Sequence, residues 1–415
     1  MIKTDICIVG AGPGGAAAAL KLAYANQSCI LLDKATFPRD KICGDALSGK
    51  VSTVLNRLDP EIMNRFRAQP QVGMWGFKFT SPGGKEMHFD FTPENKKPED
   101  YPPAPGYVAT RLVFDNFLIE EVKRHDSVDL HEGVQISEYI KIPEGYLLKN
   151  KSGEFTVQTK ILIVANGAHS AFSRKHAGLE KDNRHHAGGL RVYYKNVANL
   201  EGQLAIELHY FKELVPGYLW IFPLPNNGAN VGIGMRTDMI SDRKFNMRNK
   251  LEEIVATHPR LKDRFKNAEI TDTVKGFGLP LGSKKRILSG DHYMLVGDAG
   301  HLIDPLTGEG IGNAIYSGTI AADQAVNCLK EEKYDAKFMR DYDVRIQRVL
   351  GTELKASYLM QRIMLYPRIV NFLTSRVENN KFVMDFLNKI YADSTTEWHK
   401  ELWRPSFWWR VVKGN

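Results

Sequence analysis

The chain opens with a strand, a glycine-rich turn, a helix and a second strand, in an order few folds accept. Ile6-Cys7-Ile8-Val9 is apolar and β-branched, as a buried parallel strand requires. It runs into Gly10-Ala11-Gly12-Pro13-Gly14-Gly15 and an alanine-rich stretch, Ala16 to Ala19, with Leu20, Leu22 and Ala23 behind it. That stretch reads as a helix, and Pro13 suits its opening turn, where an N–H has no intrahelical partner. A second apolar run, Cys29-Ile30-Leu31-Leu32, ends in Asp33, eighteen residues after Gly15. In such a unit Gly10 permits the tight turn, Gly12 lets backbone approach a pyrophosphate, and Gly15 lets helix and strand close on each other. The helix start, with Pro13 and Gly14, offers N–H groups to phosphate, and Asp33 accepts from a ribose hydroxyl. The acid would repel the extra phosphate of NADP, which leaves FAD and NAD.

A second cofactor signal lies far downstream. Tyr293-Met294-Leu295-Val296-Gly297-Asp298-Ala299 is an apolar strand ending in Gly-Asp, and Asp304-Pro305-Leu306-Thr307-Gly308-Glu309-Gly310-Ile311 follows it. Small and apolar residues then continue at helical spacing toward Leu329. A carboxylate at a strand end can take sugar hydroxyls, and a glycine-rich helix start can face an anionic ring edge with N–H groups.

The two motifs together resemble the FAD-dependent oxidoreductases of the p-hydroxybenzoate hydroxylase type. The resemblance implies that Gly10, Gly12, Pro13, Gly14, Gly15 and Asp33, with Lys34, hold the ADP half of FAD. By the same resemblance Gly297, Asp298, Pro305, Gly308, Gly310 and Ile311 hold the ribityl and ring half. It also places Arg111 beside the FAD at a helix start, Val134 at a backbone contact to adenine, and Asn166-Gly167 where the family carries Asp-Gly. Asn166 keeps the hydrogen-bonding shape of that acid and loses its charge. Four further patterns are similar to the geranylgeranyl reductase family, over about the first 330 residues. They are Phe37-Pro38-Arg39-Asp40-Lys41-Ile42-Cys43-Gly44-Asp45, Gly76 to Gly84, Pro216-Gly217-Tyr218-Leu219-Trp220-Ile221-Phe222-Pro223 with its return strand Ala229 to Gly234, and Leu306-Thr307-Gly308-Glu309-Gly310-Ile311.

That second resemblance implies reduction of carbon–carbon double bonds in a prenyl or other lipid-like substrate by hydride from reduced FAD. Lys41, Cys43 and Gly44 would then pass the flavin ring, with Cys43 as the catalytic candidate that positions substrate or supplies a proton. Basic Arg39 and Lys41 would lower its thiol pKa if they lie close. Tyr218, Trp220 and Phe222 alternate along a strand and would line an apolar pocket if their side faces it. A monooxygenase or halogenase of the same fold is the first alternative, with Lys78 near the halogenase lysine. A non-redox prenyl-binding protein is the second. No further nucleotide fingerprint appears, so the electron donor would be a transient NAD(P)H or a ferredoxin.

Composition agrees with a globular enzyme. Of 415 residues 43% are hydrophobic and 25% charged, and the net charge of +8 is interspersed, without the basic stripe of a nucleic-acid binder. Cys7, Cys29, Cys43 and Cys328 are too sparse for a disulfide framework and read as free thiols of a cytoplasmic protein. The uncharged run Val215 to Met235 holds Pro216, Pro223, Pro225 and Asn226-Asn227-Gly228, which predicts a hairpin rather than a membrane span. His185-His186 has no third ligand at zinc spacing, so no metal is expected and both read as loop residues. From Lys333 onward apolar residues at Val349, Leu354, Leu359 and Ile363 predict core-facing helix positions. Trp398, Trp403, Phe407, Trp408 and Trp409, among Lys400, Arg404, Arg410 and Lys413, predict a peripheral contact with the inner face of a membrane.

The expected fold is α/β, α+β overall: a Rossmann-like FAD-binding domain with an antiparallel-sheet substrate domain and a helical C-terminal region. The FAD-binding parts are 1–70, 105–175 and 287–330. The substrate domain is 71–104 and 176–286, the Pro98–Pro105 stretch is the crossing, and 331–415 is the helical region.

Overall fold

In the computed structural model, which describes residues 1–93, 100–200, 205–377, 380–383, 385–386 and 398–413, the opening strand occupies the middle of a parallel sheet. Ile2–Val9 pairs in parallel with Thr156–Val164 on one side and Cys29–Leu32 on the other. Val128–His131 extends the sheet beyond Cys29–Leu32, and Tyr293–Leu295 extends it beyond Thr156–Val164. An antiparallel pair, Ile136–Ile142 and Gly145–Asn150, hangs from Thr156–Val164. Every side chain from Ile6 to Val9 and from Cys29 to Leu32 is buried, because helices and loops cover both faces. Helix Pro13–Tyr24 packs on one face beside the long helix Ile311–Glu331. They meet at glycines: a Cβ on Gly318 would collide with the Gly14 carbonyl.

A second, mostly antiparallel sheet runs in the order Glu269–Ile270, His186–Lys195, Gly228–Arg236, Tyr218–Leu224, Ala205–His209, Gly76–Thr80, Glu86–Asp90, with Lys275–Pro280 also paired to His186–Lys195. The uncharged run forms the expected hairpin, Tyr218 opposite Gly234, and turns through Asn226 and Asn227 at positive φ. One face of this sheet buries Leu219, Ile221, Val231 and Ile233 against helix Met247–Thr257. Burying such a side chain contributes about 2 kcal/mol. A small three-stranded sheet, Ala46–Leu47, Gly106–Val108 and Val72–Met74, spans the positions 70/71 and 104/105 where the sequence suggested boundaries. Residues 94–99, which include the first two positions of the Pro98–Pro105 crossing, lie outside the described residues.

Two local expectations are corrected. His186 begins a strand rather than lying in a loop, and its Nδ1 pairs with Thr237 Oγ1 at 2.9 Å. In the C-terminal region a wide helical turn at Gln347–Gly351 advances the phase of the helix that follows. Leu350, Leu354 and Ala356 therefore face the core, while Leu359 is 37% exposed. The four cysteines are free, as expected. Among the described residues no helix is long and apolar enough to cross a membrane.

The second sheet also buries a polar cluster. Glu207 takes two hydrogen bonds from Arg264, at 2.7 and 2.8 Å, and pairs with His209, which is held in turn by Thr80. Burial alone would raise the Glu207 carboxyl, but His209 and Arg264 outweigh it and hold it down at about 2. A carboxyl depressed in the folded state contributes stability at neutral pH that is lost as pH falls from its ordinary 4.5 toward 2. Glu207→Gln is therefore expected to cost about 3 kcal/mol near neutrality, since it strands Arg264. Its loss of stability in acid should be shallower than that of the parent, as read by urea unfolding at a series of pH values.

Candidate active site

A cavity of about 550 Å³ is lined from both large sheets, a size suited to small-molecule sites. Its cofactor-facing wall is made of backbone that glycine brings close. Gly10 stands at φ +104°, where a Cβ would overlap the Ala165 carbonyl, and a Cβ on Gly15 would overlap the Gly10 carbonyl. These two glycines are needed by the protein's own packing. At Gly12 a Cβ would meet only Arg39 Nη2, at 3.8 Å, and Gly12, Pro13 and Gly14 line the cavity. That is the pattern expected where backbone stays bare for a phosphate group. Gly12 and Gly310, at the two helix starts, both line the cavity; no side chain of Gly12 caps the first helix, whereas in the second the Gly312 amide donates to Glu309 Oε1 at 2.5 Å. Gly167, Gly297, Asp298, Pro305, Gly308 and Ile311 line it too. Lys41 Nζ lies 3.3 Å from Asp298 Oδ2.

Besides Gly10 and Gly15, four more expected cofactor residues do not line the cavity. Asp33 is buried and spends its two oxygens on the amides of Ala11 and Ala35, at 2.7 and 2.8 Å, which shapes the glycine turn and leaves second lone pairs for a ribose. Lys34 is exposed to solvent. The amide of Val134 is taken by the Asp33 carbonyl at 2.8 Å, so a nucleobase contact there would fall to its carbonyl oxygen. Asn166 donates to Tyr139 at 3.2 Å, and its buried Oδ1 has no partner. An unsatisfied acceptor beside Gly167, with bare backbone at Gly12 and an uncapped helix start behind it, fits a large polar cofactor such as FAD.

The opposite wall is aromatic. Tyr218, Trp220 and Phe222 stand in a row with ring centroids 6.1 and 6.2 Å apart, and all three line the cavity. Their neighbours Leu219 and Ile221 point into the core of the second sheet, so strand alternation divides the two environments. Gly232 and Gly44 make room for the row: a Cβ on Gly232 would overlap the Trp220 ring, and one on Gly44 would sit 3.2 Å from Phe222. The loop carrying Lys41, Cys43 and Gly44 is thereby pressed edge-on against the wall.

Cys43 meets a buried cation rather than an exposed one. Arg111 is 2% exposed, forks onto Asp115 at 2.6 and 2.7 Å, and also contacts the Cys43 sulfur. Asp115 takes Arg39 as well, at 2.6 Å. The expected lowering of the thiol pKa does not follow. Burial pushes the Cys43 thiol up, more than Arg111 and Lys41 pull it down, so the sulfur stays protonated.

Other site residues escaped the sequence reading. Asp45 is fully buried at φ +68° and lines the cavity. Its Oδ2 accepts from Tyr193 at 2.7 Å and Asn230 at 2.8 Å, while its Oδ1 has no partner. Asn230 also donates to the Cys43 carbonyl and accepts from Trp220 Nε1 at 2.9 Å, which fixes the indole. At another part of the wall Lys50 bonds Glu353 at 2.7 Å and Asn313 at 3.0 Å, and lies 3.9 Å from Glu309. Asp45 and Asn230 sat inside quoted patterns, but nothing in their spacing joins residues 185 positions apart.

The two kinds of glycine can be told apart by experiment. Gly12→Ala should leave the thermal midpoint of the apoprotein within about 2 °C, since it meets only the Arg39 side chain at ordinary contact distance, and weaken FAD binding about tenfold or more. Gly15→Ala should lower the midpoint by several degrees, because backbone must shift. Calorimetry and flavin-fluorescence titration read the two effects.

Residues 3–336 match the family of the FAD binding domain. A digeranylgeranylglycerophospholipid reductase of Methanococcus vannielii is 29% identical over 86% of this chain and 87% of its own length. The enzyme of the same name from Thermoplasma acidophilum is 30% identical over 83% of each chain. Among solved structures, a geranylgeranyl bacteriochlorophyll reductase-like protein of Thermoplasma acidophilum superposes with a TM-score of 0.80 at 25% identity, covering 97% of this chain and 99% of its own. A matched FAD-binding model over most of the chain, reductase relatives across more than four-fifths of it, and a cavity built to this pattern lead to one assignment: the chain belongs to the FAD-binding-domain family, as an FAD-dependent oxidoreductase of the geranylgeranyl reductase-like kind.

Proposed function

We propose that this enzyme hydrogenates carbon–carbon double bonds of a prenyl or other lipid-like substrate. The observation that carries the reading is the row of Tyr218, Trp220 and Phe222, facing the Cys43 loop inside the same cavity as the glycine motifs. Reduced FAD, when bound, supplies the hydride. An isolated double bond is not polarised, so enclosure and alignment must lower much of the barrier. The aromatic row presents flat apolar faces to an isoprenoid chain, Gly44 keeps the loop tight against that row, and Arg111 with Asp115 anchors the loop from behind. The neutral Cys43 thiol acts here as a small polarisable contact that positions the alkene. On this reading Gly12, Gly14, Gly297, Asp298 and the turn from Pro305 to Ile311 hold the cofactor.

The oxygen-using alternative draws no support from Lys78. The cavity wall on that strand is made by Gly76 and Phe77. The donor that reloads FAD is on our reading a diffusing one, NAD(P)H or ferredoxin, since the chain has one glycine fingerprint of that type. We also read the C-terminal end as a peripheral membrane contact. Phe407 and Val411 dock the last helix on Val383, while Trp403 and Trp409 stay 45% and 62% exposed, each with a lysine over its ring. The side chain of Trp398 lies outside the described residues.

Anaerobic mixing of the photoreduced holoenzyme with a geranylgeranyl lipid tests the function. The flavin absorbance should return to its oxidised form with a gain of two hydrogens in the lipid. Reoxidation only by oxygen would overturn the reading. Trp220→Ala should keep FAD and lose about 10- to 100-fold in kcat/KM, the worth of one buried aromatic contact. Replacing Trp403 and Trp409 by Ala should halve or abolish sedimentation with anionic liposomes and leave turnover of a detergent-dispersed lipid unchanged.

A further inference from the structure

Adding hydrogen across an alkene needs a proton as well as a hydride, and the reading above leaves its source open. Cys43 is a poor source, since burial holds its proton in place. The cavity holds a better one, two residues further along the same loop.

Asp45 is a buried carboxyl of the cavity lining, linked to Trp220 through a single residue, Asn230. Its two oxygens are treated differently. Oδ2 receives two hydrogen bonds, from Tyr193 and Asn230. Oδ1 is buried and receives none. A buried charged oxygen without a partner costs more than the neutral carboxyl does, so this setting favours the protonated form. The loop spends conformational freedom to hold the group there, because Asp45 sits at positive φ, a region that Asp visits more readily than most residues. The charged groups around it are arranged to receive the anion once the proton has left. Arg111 stands on the helix behind the loop. Arg191, 1% exposed, lies 3.9 Å over the Tyr193 ring and pairs with Asp40 and Asp272 at 2.5 and 2.7 Å. Lys41 and Cys43 complete the loop's own contribution.

We propose that Asp45 is the acid of the reaction, its carboxyl O–H giving the proton to the alkene carbon that does not receive the hydride. The O–H bond breaks as the new C–H bond forms. The electron pair of the hydride saturates the double bond, and Asp45 is left as a carboxylate held by Tyr193 and Asn230, with the positive charge of Arg111 and Arg191 favouring the anion. Water restores its proton when product leaves. Tyr193 and Asn230 act through Asp45 and are positioning residues.

The titration of the group fits this role. Burial raises the Asp45 carboxyl to about 6, against the pull of Tyr193, Asn230, Arg111 and Arg191. A group raised in this way is protonated below that pH and gives up its proton above it, so the proton-dependent rate should fall as pH rises through about 6.

The inference rests on the proposed alkene reduction, and infrared spectroscopy separates the two. In the FAD-loaded enzyme, the carbonyl stretch of a protonated carboxyl should vanish between about pH 5 and about pH 8, and Asp45→Asn should remove that band. Tyr193→Phe withdraws a hydrogen bond from the anion and should move the band's titration upward. With a prenyl lipid, Asp45→Asn should keep FAD and its reducibility and lose about 10²-fold or more in the lipid-reduction step, with the pH dependence abolished. Absence of the band, or an Asp45→Asn rate equal to the parent's while Cys43→Ala is inactive, overturns the assignment and gives the proton to the thiol. A parent enzyme that reduces no prenyl lipid sinks the function proposed above, and the infrared result then decides the acid alone.

Discussion

The site depends on two helices meeting through glycine. A Cβ on Gly318 would strike the Gly14 carbonyl, one on Gly14 would strike Val296, and one on Gly297 would strike Ala314. With hydrogen in those places, helix Pro13–Tyr24 and helix Ile311–Glu331 lie against each other, and both begin at the cavity. Two motifs almost three hundred residues apart in the chain thus act as one cofactor cradle. A single methyl group at this crossing would separate them, because close-packed interiors have no slack to absorb it.

The second constraint is that one strand serves two masters. Along Tyr218–Leu224 the odd-numbered residues Leu219 and Ile221 fill a core, while Tyr218, Trp220 and Phe222 face the cavity. Their rings are held by polar contacts rather than by apolar packing alone: Trp220 through Asn230, and Tyr218 through the Thr307 carbonyl. Aromatic groups tethered at one edge keep a flat face available without collapsing onto each other. The same Asn230 reaches the loop of Cys43 and Asp45, so the apolar wall and the polar groups of the site are positioned together.

Much of this was legible in the residues. The opening strand–turn–helix–strand unit could be read element by element, because the residues that build it are neighbours in sequence and its glycines have narrow physical roles. The hairpin after Val215 could be read from its prolines and the Asn-Asn-Gly turn. After Lys333 the expected core positions hold at Val349, Leu354 and Ile363 and fail at Leu359, which is 37% exposed beyond the wide turn at Gln347–Gly351. The thiol of Cys43 was misjudged for a related reason. Burial pushes its pKa up more than Arg111, distant in sequence, and Lys41 pull it down, and burial belongs to the fold.

The sequence by itself determined the cofactor class, the sheet types and the alternation of the aromatic row, because each follows from local spacing and the geometry of strand or helix. The tertiary structure alone decided which oxygen of Asp45 is left without a partner, that Arg111 is spent on Asp115 and Cys43, and that Lys34 faces solvent. These are outcomes of burial and of contacts between distant segments, and the strength of a charge or a hydrogen bond depends on how much water the finished fold leaves around it.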